Sequence, residues 1–254
     1  MISIFEKYGH RYDSSNLFNR FLEFVIVGFD QTFSPVEKPF SQEEGQACLE
    51  LFRAWVEIMN EELDHREWYD ALGEIYMTYV SGTGKKKSNG QYFTPMYICD
   101  FMTKILDPGE HVGESVLDNA CGSGRMLLAT HAVNPDNYCC AQDIDRMCCM
   151  MAVCNFIIHG INGEVVWGNS LDPSDYREGW RTNELLNVIG VPCVRKLDMM
   201  ESKIYRNGLD MLKKHKESQS EKSSSVPNPA DNGKQESQQL NLFYFDDNDE
   251  AVIE

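Results

Sequence analysis

The chain has 254 residues, 42% hydrophobic and 11% aromatic, which is enough apolar material for one α/β core and a smaller lobe. Its 23 basic and 40 acidic residues give a formal net charge of −17, which argues against tight, unaided binding to a nucleic-acid backbone. Because neither a signal peptide nor a run of about 18 apolar residues is recognisable, we expect no membrane span and a cytoplasmic location.

Nine cysteines are present, four of them in the adjacent pairs Cys139–Cys140 and Cys148–Cys149. Their spacing does not provide the two C-x-x-C pairs of a typical zinc site, so we expect no metal site. We expect reduced, mostly buried side chains that pack as small hydrophobes.

Residues 1–80 are predicted to form a helical lobe. Apolar residues recur at three- and four-residue spacing over 17–25 and again over 48–59. Ser41 and Glu44 have the spacing of a capping box at the start of the second helix. A third helix is predicted over 68–80.

Residues 81–90 are predicted to form a flexible loop, because glycine, serine and lysine dominate their composition. Lys85, Lys86 and Lys87 have two interpretations. They are either a solvated linker or contacts to phosphate groups, since clustered positive charge is scarce in this chain.

Residues 91–216 alternate between strand-like and helix-like patterns, which predicts an α/β domain. The predicted strands and helices, in chain order, are 115–118, 124–133, 138–142, 145–159 and 164–167, followed by a fourth strand at 185–189 and a helix at 198–216. This order predicts a Rossmann-like, doubly wound parallel sheet with right-handed crossovers.

The sequence Asp-Asn-Ala-Cys-Gly-Ser-Gly at 118–124 lies between the first predicted strand and its helix. Ligands of doubly wound sheets bind beyond the carboxyl ends of the strands, and glycines let the backbone approach them closely. We therefore expect a nucleotide-binding turn. Its candidate residues are Asp118, Ala120, Cys121, Gly122, Ser123 and Gly124.

Polar residues also follow the next two strands. Asp143, about 20 residues after the glycine turn, is placed to bind ribose hydroxyls, with a helix cap as the alternative. The cap role is assigned to Asp145. Ile144 is a candidate to pack on an adenine ring. Asn169 can read the adenine edge or form a simple turn.

These motifs together resemble the N6-adenine-specific DNA methylases of the type I restriction-modification kind. The resemblance rests on D-N-A-C-G-S-G-R-M-L-L-A from residue 118, Q-Y-F-T-P at 91–95, the segment 141–160 and G-N-S-L at 168–171. It covers about residues 60–172. It implies an S-adenosylmethionine-dependent methyltransferase that acts on DNA.

In that family the F-T-P segment contacts the methionine part of S-adenosylmethionine. The resemblance gives this role to Phe93, Thr94 and Pro95, with Tyr92 beside them. It assigns the amino-acid moiety to Asp118 and the glycine turn, ribose to Asp143 and adenine to Asn169. The implied partners are DNA, bound weakly by this chain alone, and a specificity or second methylase subunit.

The family's catalytic tetrapeptide, [ND]-P-P-[YF], is missing. Its polar groups orient the amine of a flipped adenine, and its aromatic ring stacks on the base. Residues 172–176 (Asp-Pro-Ser-Asp-Tyr) look similar but follow G-N-S-L with no strand between. Residues 190–193 (Gly-Val-Pro-Cys) follow the predicted fourth strand and leave Pro192 as the one positional candidate.

Three interpretations therefore stay open. The chain is a cofactor-binding DNA adenine methyltransferase with impaired catalysis, or a non-catalytic module that acts through partners. The third is that another chain supplies the missing strand and substrate loop.

Residues 217–254 are polar and are predicted to form a disordered tail. The tail contains one apolar run, at 240–245. Gln239, Leu240, Leu242 and Phe243 resemble the Q-L-x-L-F peptide that docks into bacterial sliding clamps. The alternative is a terminal strand or helix that returns to the core.

Overall fold

The computed structural model describes residues 1–32, 38–80, 93–106, 112–224 and 244–245. Its elements are α1 Ile2–Tyr8, α2 Ser14–Phe29, α3 Gln42–Leu63, α4 Ala71–Ile75, a π-helical turn Tyr76–Val80, α5 Met96–Leu106, β1 Ser115–Asp118, α6 Arg125–Val133, β2 Tyr138–Asp143, α7 Arg146–His159, β3 Gly163–Trp167, β4 Glu178–Thr182, α8 Leu186–Ile189, β5 Val194–Lys196, α9 Lys203–Ser224 and β6 Tyr244–Phe245. The lysine loop at 81–90, Tyr92 and the clamp-like peptide at 239–243 lie outside the described residues.

The helical lobe forms as its periodicity predicts. Ser41 accepts from the Glu44 amide and the Glu44 side chain accepts from the Ser41 amide, which confirms the capping box at the start of α3. The apolar faces of α2 and α3 meet, with the rings of Phe21 and Trp55 edge to face at 6.2 Å. The predicted third helix begins at Ala71 and not at residue 68, because Asp70 is its N-cap and accepts from the Gly73 amide. Its second half is the π-helical turn.

The sheet has the strand order β5-β4-β3-β2-β1-β6. β1, β2 and β3 are parallel, whereas β4, β5 and the two-residue β6 are antiparallel to their neighbours. The helices α6 and α7 connect the parallel strands, and α9 packs on the opposite face, where Ile204 meets Cys140 and Val166. The predicted α/β fold is confirmed.

The predicted fourth strand at 185–189 is wrong. The chain instead forms β4 at Glu178–Thr182 and then turns at Asn183, whose buried amide donates to the carbonyls of Phe156 and Ile161. The apolar residues that follow form α8 at the surface, where Val188 is 80% exposed. The apolar pattern at 185–189 therefore belongs to a short surface helix and not to a buried strand.

The helical lobe and the sheet share one hydrophobic core. Leu17, Leu22 and Trp55 of the lobe belong to the same buried cluster as Leu127 and Phe156 of the α/β part. The predicted boundary near residue 80 therefore separates two sequence patterns within one packed unit.

Glu164 of β3 anchors the start of α9. Its buried carboxylate accepts from the backbone amides of Lys203 and Ile204 and from the Ser202 hydroxyl. These amides belong to the first helical turn, where no carbonyl of the helix can reach them. The helix then continues to Ser224, past its predicted end at 216.

All nine cysteine side chains are buried, as predicted. Burial raises the pKa of Cys99 to about 11 and the pKa values of Cys48 and Cys139 to about 12. Among the described residues, no cluster of His, Cys, Asp or Glu has the geometry of a metal site, and no helix is long and apolar enough to cross a membrane.

Candidate functional site

Three of the predicted site residues lie at the same end of neighbouring strands. Asp118 is the last residue of β1, Asp143 is the last of β2, and Asn169 follows the end of β3. The Gly168 amide donates to the Asp143 carbonyl over 3.0 Å, which holds the last two strand ends together. These are carboxyl ends of parallel strands, where doubly wound sheets bind ligands.

The turn between β1 and α6 needs both of its glycines. Gly122 and Gly124 have φ of +54° and +89°. A Cβ atom on Gly122 would lie 2.8 Å from the Phe93 ring, and one on Gly124 would lie 3.3 Å from Phe156. The Cys121 amide donates to the Gln142 carbonyl over 2.9 Å, so the turn is also attached to β2.

Asp143 organises the turn through its carboxylate. One oxygen accepts from the Gly122 amide over 2.9 Å, and the other accepts from the Asp145 amide over 2.8 Å. Each carboxylate oxygen has two lone pairs, so both can accept a further hydrogen bond. Asp145 itself accepts from the Met147 amide, which confirms it as the cap of α7.

Asp118 lies beside this acid. Its carboxylate accepts from the Ala120 amide over 3.1 Å. Burial raises the pKa of the Asp118 carboxyl, the nearby charge of Asp143 adds to the rise, and the Ala120 hydrogen bond opposes it. Two acids at adjacent strand tips form a negative site suited to hydroxyl donors and cations.

The Phe93–Pro95 segment covers the glycine turn. The Phe93 ring stacks on Tyr76 at 5.7 Å and contacts Gly122. The Thr94 carbonyl accepts from Arg125 over 3.2 Å, and the Pro95 carbonyl accepts from the Ile98 and Cys99 amides at the start of α5. The structure therefore brings the described part of the Q-Y-F-T-P segment to the turn.

Asp70 is a residue of this region that the sequence did not reveal. It is fully buried and accepts from Ser123, Arg125, Asn155 and the Gly73 amide. The available signal was a cap position before a helix, which predicts the Gly73 contact only. The other three partners lie more than 50 positions away in the chain.

Asn169 forms a simple turn, which was the alternative to reading the adenine edge. Its side-chain oxygen accepts from the Leu171 amide over 3.1 Å, and its own amide donates to Asp175. Ile144, by contrast, is 59% exposed beside Asp143 and is available to pack on a flat ring.

A cavity of about 450 Å³ opens next to these strand tips, beneath α9. Its walls include Asn119, Gln142 and Ser170, each adjacent in sequence to one of the three predicted ligand-binding residues. Ile204 and Met211 of α9 provide apolar walls. The volume lies within the range of about 300–1,000 Å³ usual for small-molecule sites.

Pro192 does not belong to this site. β4 runs antiparallel to β3, so its final residue, Thr182, pairs with Gly163 at the start of β3. Pro192 lies between α8 and β5, whose first residue Val194 pairs with Thr182. The candidate is therefore at the opposite end of the parallel strands from Asp118, and its assignment as a catalytic position is wrong.

Comparison with known proteins gives a consistent result. Residues 67–189 match the model of the N-6 DNA Methylase family. The chain is 31% identical over 132 residues to the methylase subunit of the type I restriction enzyme MjaVII from Methanocaldococcus jannaschii, a match covering 49% of this chain and 22% of that protein. The MjaVIII methylase subunit of the same organism is 33% identical over 112 residues, covering 41% and 19%.

The methylase subunit of the type I restriction enzyme EcoEI from Escherichia coli is 33% identical over 67 residues, covering 26% of this chain and 13% of that protein. The matches thus span about a fifth of the length of the first two relatives and 13% of the length of the third. No solved structure gave a significant match.

Proposed function

The chain belongs to the N-6 DNA methylase family, and on that premise we propose that its strand-tip site binds S-adenosylmethionine as part of a DNA adenine-N6 methyltransferase. One observation carries the proposal. The Asp118 and Asp143 carboxylates end adjacent strands, and the glycine turn between β1 and α6 is hydrogen-bonded to Asp143. Methyl transfer, DNA binding and partner subunits are likewise proposals, because the matches span only about a fifth of the relatives' length.

The residues present suit this cofactor. Asp118 can accept from its ammonium group, and Asp143 can accept from its ribose hydroxyls with the lone pairs that the Gly122 and Asp145 amides leave. The exposed Ile144 side chain offers an apolar surface for adenine. Gly122 leaves room for Phe93 beside the turn, where the family places the methionine part.

When bound, S-adenosylmethionine supplies an activated methyl group. The protein must then orient the adenine amine toward it, and this requires polar acceptors and an aromatic ring in the substrate loop. Neither similar segment supplies them. In 172–176 the Asp175 carboxylate already accepts from Asn169 and Arg177, and the Tyr176 hydroxyl donates to the Leu197 carbonyl. Residues 190–193 lie at the far end of the sheet. We therefore propose that methyl transfer needs a second polypeptide.

The second polypeptide has a candidate surface on α5. Tyr97, Phe101 and Ile105 lie at four-residue spacing and are 72%, 63% and 62% exposed. Large exposed apolar groups in a row mark interaction sites. We propose that a methylase or specificity subunit covers this face and completes the site, with the net charge of −17 keeping DNA binding by this chain alone weak.

A second candidate function is a non-catalytic module that binds cofactor and acts only through partners. It is favoured by the position of Pro192, the one positional candidate, at the far end of the sheet. The clamp-like peptide Gln239, Leu240, Leu242 and Phe243 would suit such a module, although it lies outside the described residues. Its competing interpretation, a strand that returns to the sheet, is supported by β6, which pairs with Ser115 and Val116.

Calorimetric titration with S-adenosylmethionine tests the site. We expect binding by the wild-type protein and at least tenfold weaker binding by Asp143→Ala, since a half-buried acceptor pair for the ribose is removed. Asp172→Ala is the control, because the side chain of this exposed acid accepts from Ser174 within its own turn, away from Asp118 and Asp143. Absence of wild-type binding would contradict the proposal.

Transfer of a tritiated methyl group to unmethylated DNA separates the two functions. Transfer that appears only when a methylase or specificity subunit is added supports the first. Cofactor binding without transfer under any pairing supports the module. Co-elution with a sliding clamp that is lost on Leu242→Ala with Phe243→Ala would establish the clamp as a partner.

A further inference from the structure

We propose that Asp70 is a positioning residue that holds the Phe93–Pro95 segment in register with the glycine turn, an inference that rests on the proposed cofactor site. Asp70 ends the loop before α4, in the helical lobe, and its side chain is fully buried. It therefore reaches the site from an element outside the three strands that form it.

The two Asp70 oxygens have different partners. One accepts from the Gly73 amide and the Asn155 side chain, both over 2.8 Å. The other accepts from the Ser123 hydroxyl and from Arg125 Nε, both over 2.6 Å. Ser123 and Arg125 flank Gly124, so the second oxygen determines where the end of the turn lies.

Arg125 carries this restraint to the Phe93–Pro95 segment. It is 3% exposed, and it donates to the Thr94 carbonyl over 3.2 Å and to Glu74 over 2.8 Å. Its guanidinium also lies 5.6 Å from the centre of the Phe93 ring. The planar guanidinium presents five donors in a fixed fork, so it can join acceptors that lie on different sides of it, whereas a lysine ammonium is a compact point charge.

Gly73 shows how closely these groups are packed. A Cβ atom there would lie 2.0 Å from Asp70 Oδ2 and 2.8 Å from Ser123 Oγ. Any larger residue would separate α4 from the turn. The lobe, the turn and the Phe93–Pro95 segment thus share one buried polar junction, in which a small displacement of Arg125 moves Thr94.

Asp70→Asn isolates the Arg125 contact. The amide oxygen can still accept from Gly73 and Asn155, and the Ser123 hydroxyl can turn to accept from the new amide group. Only Arg125 Nε, a donor, then faces another donor. We expect the Kd for S-adenosylmethionine to rise about tenfold, because the segment beside its methionine part loses its restraint.

The discriminating ligand is 5′-methylthioadenosine, which lacks the amino-acid part. We expect its Kd to change less than about twofold in Asp70→Asn, since Asp143 and Ile144 keep their positions. Arg125→Lys should likewise weaken the binding of S-adenosylmethionine more than that of 5′-methylthioadenosine. It replaces Asp70→Asn in the experiment if that variant does not fold. Glu44→Gln is the matched control, a buried acid of α3 that pairs with Arg20 away from the site.

Equal weakening of both ligands, or of neither, would overturn the positioning role. Glu44→Gln should leave the ratio of the two Kd values unchanged, and a changed ratio there would also count against it. If the wild-type protein binds neither ligand, the proposed function fails. Amide hydrogen exchange then tests the positioning role of Asp70 without a ligand. Faster exchange at 93–99 in Asp70→Asn, with 47–59 unchanged, supports the role, and unchanged exchange overturns it.

Discussion

The Gly122 amide donates a 2.9 Å hydrogen bond to the Asp143 carboxylate, so the glycine turn after β1 and the acid that ends β2 form one unit. The acid cannot move without disturbing the turn. A ligand that binds Asp143 is thereby coupled to the backbone that contacts its other end. This coupling is why the site can be tested by single substitutions.

Gly122→Ala tests the conformation of the turn. The residue has φ of +54°, and its new Cβ atom would meet the Phe93 ring. We expect a loss of about 1–2 kcal/mol in the free energy of unfolding and at least tenfold weaker cofactor binding. Urea denaturation and calorimetry measure the two effects.

Gly45→Ala is the control for that substitution. Gly45 lies within α3, and a Cβ atom there meets nothing within 4 Å. We expect it to stabilise the protein by about 0.5–1 kcal/mol and to leave binding unchanged. Normal binding by Gly122→Ala would show that the turn does not hold the ligand.

The pH dependence of cofactor binding tests Asp118. Burial raises the pKa of its carboxyl above the ordinary value of 3.8. Only the ionised form attracts an ammonium group, so we expect the affinity to fall as the pH is lowered through the raised pKa. Calorimetry at a series of pH values should show this decline in the wild-type protein and a weaker, flatter profile in Asp118→Asn.

Asp172→Asn controls for general acid effects. Asp172 is exposed, and its pKa is lowered by hydrogen bonds from Ser174. It should therefore keep the wild-type profile. A decline that survives in Asp118→Asn would assign the titration to another group.

Local patterns predicted the part of the site that is local in sequence. The glycine turn, the strand before it and the Asp145 cap are each formed by neighbouring residues, and their bounds agree with the structure within a residue or two. The predicted order of β1, α6, β2, α7 and β3 then places Asp118 and Asp143 at one edge without further information.

The remainder depends on contacts between distant residues. β4 was missed because Glu178–Thr182 is short and mixed in polarity, and its stability comes from pairing with β3 and β5. The Asp70 junction was missed because a buried acid and its partners carry no periodic signal. Pro192 was misplaced because its assignment assumed a parallel fourth strand.

Glu164→Ala tests the attachment of α9. The substitution leaves the Lys203 and Ile204 amides without their acceptor in a buried position. We expect a loss of about 3 kcal/mol in the free energy of unfolding, and about 1–2 kcal/mol for Glu164→Gln, which keeps one acceptor oxygen. Urea denaturation followed by circular dichroism measures both.

The same pair of proteins gives a pH signature. Burial raises the pKa of the Glu164 carboxyl, so the folded state binds its proton more tightly than the unfolded state does. The stability of the wild-type protein relative to Glu164→Gln should therefore increase as the pH falls through the raised pKa. An opposite trend would mean that the hydrogen bonds to the ionised form outweigh burial.

His159 should make stability fall on mild acidification. Its Nε2 accepts from the Tyr69 amide and its Nδ1 donates to the Asn155 carbonyl, so the ring is neutral, and burial lowers its pKa. The unfolded chain takes up a proton below about pH 6.5 while the folded chain does not.

The advantage of the wild-type protein over His159→Gln should therefore be largest above pH 6.5. It should shrink by about 1 kcal/mol at pH 5.5. Chemical denaturation at both pH values measures it, and a constant difference would show that the ring titrates equally in both states. His131, which is also buried with a lowered pKa, is present in both proteins, so its own titration enters both measurements.

A crystal structure with S-adenosylmethionine soaked or co-crystallised decides where the cofactor lies, because the cavity beneath α9 opens next to the strand tips. We expect the ribose hydroxyls on Asp143 and the amino group beside Asp118, with the methionine part next to Phe93. A ligand found instead in the cavity beneath α9, against Gln142 and Met211 and with Asp118 and Asp143 untouched, would contradict the proposed site.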